Sequence, residues 1–213
     1  MSFLEDRLKS ELQRTFLRYA DMPRSGYVPV LAPVNNGGRE LSYLMIDAAM
    51  KRKQRILFVD NYYSALTRDV LQEMASEHHF GFVSMTCQTH NIPSEERSLV
   101  YLPMQDLPKQ SATPLDRATA LSIIKEMDTI GTMTLIFHSA LRCDYYINPE
   151  GCRVVFFKTP EQCDAKEAVY VCDNNHVRLR DGSVRRIPLV SNRYLRAIED
   201  GVEQAERERG QKP

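Results

Sequence analysis

Residues 27–60 read YVPVLAPVNNGGRELSYLMIDAAMKRKQRILFVD. Tyr27 to Val34 is short, apolar and β-prone, and Asn35-Asn36-Gly37-Gly38 is a turn. Leu41, Leu44, Met45, Ala48 and Ala49 then fall at i, i+3, i+4, i+7 and i+8, the spacing of a helix with one buried face. The basic run Lys51-Arg52-Lys53 suits the negative end of that helix's dipole. Arg55 to Asp60 is again a nearly continuous apolar strand. Strand, helix and apolar strand in close succession form the repeating unit of a parallel sheet covered on both faces.

The alternation continues outward from this stretch. Leu66, Val70, Leu71 and Met74 mark a helix, and Phe80 to Thr86 a strand. Leu99 to Leu102 reads as a short strand within a segment carrying Pro93, Pro103 and Pro108. A helix from about Pro114 to Met127 and a strand from Thr132 to His138 follow. After Asp144 the helical period stops. Val154 to Phe157, Ala168 to Cys172, His176 to Arg180 and Val184 to Val190 read as strands, with Asp181-Gly182 as a hairpin turn. A charged helix spans roughly Asn192 to Arg209. Upstream, Phe3, Leu4, Leu8, Leu12, Phe16 and Leu17 make residues 2–20 an amphipathic helix, broken by Pro23 and Gly26.

The expected fold is therefore α/β and three-layered: a mostly parallel sheet with helices on both faces, a β-rich C-terminal extension and an N-terminal amphipathic helix. In domain terms, residues 1–22 are the appended helix and 27–213 a single α/β domain. Its core is 27–144, and 145–213 supplies the β-hairpin extension and the C-terminal helix.

Composition bounds the function. The chain has 213 residues, 28 Lys+Arg against 28 Asp+Glu, and a formal net charge of +0, so whole-molecule attraction to nucleic acid or anionic membrane is not indicated. No apolar run approaches the ~20 residues of a membrane span. The charged start MSFLEDRLKSELQR lacks the apolar centre of a secretory signal. With that start, the five cysteines point to reduced thiols and a cytoplasmic setting.

In an open α/β sheet, ligands bind beyond the carboxyl ends of the strands, often at a helix N-terminus with free N–H groups. Here that place is Asn35-Asn36-Gly37-Gly38-Arg39-Glu40, where two glycines let the backbone curl around an anion. The arrangement over residues 27–86 resembles the P-loop NTPases, in particular their RecA-like, helicase and terminase branches. There too a strand ends in a Gly-rich turn, a helix follows, and a second strand ends near an acidic residue. The resemblance implies that Asn36, Gly37, Gly38 and Arg39 hold a phosphate or nucleotide, ATP with magnesium being the cofactor in the enzyme version. Aligning Gly38 with the second motif glycine, however, sets Pro33 at the first, Arg39 at the lysine and Glu40 at the magnesium-binding Ser/Thr. Arg is not an equal replacement for that Lys, and Glu repels phosphate. The motif is degenerate, which argues against ATP hydrolysis. Asp60 and His138, ending two strands, would face the same crevice as base and acid or as ligands of magnesium-bound water. The plainer role of Asp60 is to cap a helix beginning near Tyr62.

Three further groups stand out. Cys143, Cys152, Cys163 and Cys172, flanked by His138 and His176, are residue types that bind zinc, but no C-x₂-C knuckle is present, so no metal is expected. Asp164-Ala165-Lys166 matches the (D/E)-x-K half of a nuclease core but has no partner acid in place. The stretch His176 to Arg196 carries Arg178, Arg180, Arg185, Arg186, Arg193 and Arg196 against Asp181 alone, a local charge of six minus one. Arg178, Arg180, Arg185 and Arg186 on a hairpin suit contact with phosphates or acidic groups. The first expectation is thus a non-catalytic binding or assembly protein. It would dock on a partner protein through helix 2–20 or the Arg-rich hairpin, or on nucleic acid, with self-association open. The second is a nucleotide- or phosphate-handling hydrolase using the Asn35–Arg39 turn and Asp60.

Overall fold

Apolar runs and amphipathic stretches alternate along the chain, and a computed structural model turns them into β1 (Gly26–Leu31), α1 (Gly38–Lys51), β2 (Ile56–Asp60), α2 (Ala65–Glu77), β3 (Gly81–Ser84), β4 (Ser98–Pro103), α3 (Arg117–Met127), β5 (Met133–Phe137), β6 (Arg153–Lys158), β7 (Tyr170–Asp173), β8 (His176–Leu179), β9 (Val184–Arg186) and α4 (Ser191–Gly210). The structure describes residues 17, 22, 26–61, 64–85, 97–104, 117–127, 132–137 and 153–210.

The described strands join one nine-stranded sheet in the order β3-β4-β2-β5-β6-β1-β7-β8-β9. Every pairing from β3 through β7 is parallel. The β7–β8 and β8–β9 pairings are antiparallel, so the sheet is mixed but mostly parallel.

Burial explains which strands are central. β2 (ILFVD), β4 (SLVYLP) and β5 (MTLIF) are buried at every position, as strands covered on both sides must be. Side chains alternate between two clusters. Ile56 and Phe58 join Leu41 and Met45 of α1 and Val70 and Leu71 of α2. Leu57 and Val59, one residue out of phase, join Ile123, Ile124 and Met127 of α3. Tyr194 of α4 is buried in the first cluster, and α4 packs on α2.

Several boundaries differ from the sequence reading. β6, assigned by sequence to the 145–213 extension, lies inside the sheet between β5 and β1. Its Val154, Val155 and Phe157 are buried, whereas the antiparallel part proper is only β8 and β9. β8 stops at Leu179, leaving Arg180 in the turn, and β9 stops at Arg186 because Pro188, soon after it, has no N–H for the ladder. The helix expected over residues 2–20 lies outside the described residues except for Leu17. Leu17 is buried in the main cluster, and its N–H donates to the Arg186 carbonyl at 2.9 Å. Among the described residues no helix is long and apolar enough to cross a membrane.

Candidate functional site

The turn after β1 begins with Asn35 at φ 65, and the Asn36 N–H donates to the Pro33 carbonyl at 3.2 Å. Gly37 follows in the left-handed region, φ 82, as the N-cap of α1, with no side-chain cap on the helix. That conformation favours glycine. Gly38 is glycine for a different reason. A Cβ there would sit 2.6 Å from the Cβ of Ala32, so the helix start is pressed against the end of β1.

Arg39 leaves the first turn of α1 and crosses to the end of β2. Its Nη1 donates to Asp60 Oδ2 at 2.7 Å and its Nη2 to Oδ1 at 3.3 Å. The guanidinium lies 3.9 Å from the centroid of the Phe137 ring at the end of β5, and 5.7 Å from that of Phe58. Stacking and a two-pronged carboxylate contact together suit the planar fork of Arg rather than an ammonium. Asp60 is 1% exposed, so its charge is matched almost entirely by Arg39. Behind them, burial first and the Asp60 carboxylate second hold the Tyr101 phenol well above its ordinary value. Asp60 does not cap α2. That cap is Ser64, whose Oγ accepts the Thr67 N–H at 3.2 Å.

Glu40 points the other way, to the start of α4. One carboxylate oxygen accepts the Ser191 N–H at 3.0 Å and the other accepts the Ser191 hydroxyl. A carboxylate at a helix N-terminus satisfies an orphan donor and faces the positive end of the dipole. The residue standing where the P-loop pattern places a metal ligand is therefore a helix cap joining α1 to α4.

The β7–β8 turn closes over Gly37. Asn174 and Asn175 both have positive φ, 45 and 60, as a two-residue hairpin loop of the primed type requires. A Cβ on Gly37 would come within 2.9 Å of Asn175 Cα. The Asn175 carbonyl in turn accepts the Ile187 N–H at 2.7 Å, tying this turn to the segment after β9. What remains open is a cavity of about 400 Å³ lined by residues 33–40, Phe137 and Asn175. Asn36, Gly37, Gly38 and Arg39 all border it, Asp60 lies behind Arg39, and His138 lies outside the described residues.

The Arg-rich segment divides between the two faces of the sheet. Val171, Arg178 and Val184 are in register across β7–β9, as are Asp173, His176 and Arg186 in the next outward row. Arg185 pairs with Val177, a core residue, and so lies half-buried on the opposite face. Arg178, Arg180 and Arg186 are exposed.

The described cysteines are separated. Cys163 packs with Leu31 and Ala168, and Cys172 with the main cluster, where burial pushes its thiol up to about 12. Among the described residues no three His, Cys, Asp or Glu side chains are grouped to hold a metal, while Cys143 and Cys152 lie outside them. His78 caps the end of α2 and reaches Asp47 of α1 at 2.8 Å, and Asp47 also accepts from Lys51 at 2.6 Å.

The sequence reading missed Glu40 as the cap of α4, since a capping role was open to it only on its own helix, and it missed Phe137 as the ring under Arg39 and Asn175 as the cover of Gly37. Only the last left a local signal, since Asn-Asn between two short strands is a turn of the kind found here. Compared with known protein families, curated proteins and solved structures, the chain matches none.

Proposed function

We propose that this chain is a non-catalytic binding and assembly protein on a three-layer, degenerate P-loop-like scaffold. It docks on nucleic acid through the outward Arg face of the β7–β8–β9 edge. The observation that carries the first half is that the groups a phosphate and its magnesium would need are engaged within the molecule. Arg39 is held by Asp60 and Phe137, Glu40 by Ser191, and Gly37 lies under Asn175. Catalysis requires charge aimed at the reacting atoms, and here it is aimed at other protein groups. The second half is supported by Arg178 and Arg186 projecting from adjacent outward rows of a chain with net charge +0. Attraction there is local, not global.

The enzyme reading keeps one favourable observation, the cavity of about 400 Å³ beside an uncapped helix start. A thermal-unfolding scan with excess Mg-ATP, with GTP and ADP as controls, separates the two. We expect no shift. A rise of roughly 5–10 °C at a hundred times the dissociation constant would move the hydrolase reading ahead. For docking, affinity for a single-stranded oligonucleotide should fall steeply with salt, and Arg178→Ala with Arg186→Ala should flatten that slope. Absence of any oligonucleotide binding would leave a partner protein as the occupant of this face.

A further inference from the structure

The two ends of the β7–β8 hairpin differ. At one end the Asn174-Asn175 turn sets Asn175 over Gly37. At the other the strands open around a separate cavity of about 340 Å³ between residues 165–171 and the turn at 178–182. Its uncharged lining is Ala165, Ala168, Val169, Val171, Leu179 and Gly182, and its charged lining residues are Lys166, Arg178 and Arg180. Among the described residues no acidic side chain lines it.

The nearby carboxylates are directed elsewhere. Asp181 accepts the Ser183 N–H at 2.9 Å and the Ser183 hydroxyl at 2.6 Å, bonds that hold its carboxyl below the usual range. Asp164 accepts the backbone N–H of Lys166 at 2.9 Å. Glu161, Asp164 and Glu167 line a neighbouring cavity of about 580 Å³, which meets this one only at Ala165. Among the described residues none of the three cationic head groups has a carboxylate partner.

We propose that this cavity is a phosphate-binding pocket, with Lys166, Arg178 and Arg180 converging on one phosphate group. Two guanidinium forks and an ammonium offer more donors than one carboxylate could accept, while a phosphate presents several strong acceptor oxygens and a charge near −2. A volume of about 340 Å³ has room for a tetrahedral group. A ligand carrying several phosphates leaves along the row of Arg178 toward Arg186, away from Glu161 and Glu167. The group comes either from a small phosphate ester or from a nucleic-acid backbone, and the second source rests on the docking reading above.

The test is calorimetric and thermal-shift titration of the whole chain with inorganic phosphate, against sodium chloride of equal ionic strength. A mononucleotide and a single-stranded oligonucleotide form further arms. Phosphate should raise the unfolding midpoint by about 3–5 °C at ten times its dissociation constant. Lys166→Ala and Arg180→Ala should each weaken phosphate binding about tenfold, because charge-assisted hydrogen bonds are lost. Lys125→Ala, an exposed residue on α3 that lines neither cavity, should leave phosphate affinity unchanged. Unchanged midpoints of the free variants show that these exposed substitutions leave the fold intact. No response to phosphate overturns the pocket, even if the oligonucleotide binds and the docking reading survives. Phosphate binding that persists in both pocket variants overturns it as well. Within a positive result, equal affinity for mononucleotide and oligonucleotide assigns a small ester, and affinity that grows with length assigns the strand.

Discussion

Deleting Arg39 and deleting Asp60 should cost different amounts, because Asp60 is 1% exposed whereas 33% of the Arg39 side chain remains accessible. Arg39→Ala leaves a carboxylate buried without its counter-charge and should lose about 3 kcal/mol, the range for a broken buried pair. Asp60→Asn leaves a cation that can turn to water over Phe137 and should lose about 1 kcal/mol. Urea denaturation of both single variants and the double variant reads the difference, and equal losses would contradict the asymmetry. Gly38 gives a second residue-scale prediction. Gly38→Ala drives a methyl against Ala32 and should destabilise by about 1–3 kcal/mol, as overpacking does. Adding Ala32→Gly should recover part of that loss, and failure to recover would show that the contact with Ala32 is not the cause. The Arg39–Asp60 pair was only half legible in the sequence. Residue types and strand ends brought both residues to one crevice, but that they neutralise each other depends on Phe137, a ring that only the sheet order places beneath Arg39.

At the scale of elements, α4 is anchored at its start. Glu40 holds Ser191, Arg193 pairs with Glu77 and Tyr194 is buried, whereas Asp200 and Val202 further along are exposed. Glu40→Ala should therefore cost about 1–2 kcal/mol, the range for losing a helix cap with its charge. It should also speed amide exchange in the first turns of α4 more than in α1. Equal acceleration in both helices would place the damage in α1 instead. Periodicity was enough to find α1, α2, β2 and β5, because a strand buried on both faces and a helix with one apolar stripe leave strong repeating patterns. It was not enough to place β6. A parallel strand's neighbour is set by the crossover between them, and RVVFFK reads the same whether it lies inside the sheet or in an extension. Glu40 and Ser191 are 151 positions apart, a separation at which no local pattern carries information.

For the whole molecule, pH dependence should be strongest on the alkaline side. Burial pushes the Cys172 thiol up to about 12, and burial also raises Tyr43, Tyr101 and Tyr194. The folded protein holds these protons after the unfolded chain has released them, so stability declines as pH rises above the unfolded thiol's value near 8.5. The slope from Cys172 is at most about 1.4 kcal/mol per pH unit, and the phenols add to it from about pH 10. Urea midpoints between pH 8 and 10.5 should fall, with the earlier part of the fall reduced in Cys172→Ala; a flat profile would contradict the assignment. The sheet order has a consequence for how the protein is made. β1 pairs with β6 and β7, strands that follow it only after β2 through β5 have been translated. Both backbone edges of β1 therefore stay open while the middle of the chain leaves the ribosome, and pairing so distant in sequence is slow to form. A nascent chain stalled before residue 153 exposes those edges to its neighbours, and shielding them is a task for chaperones rather than for the fold itself.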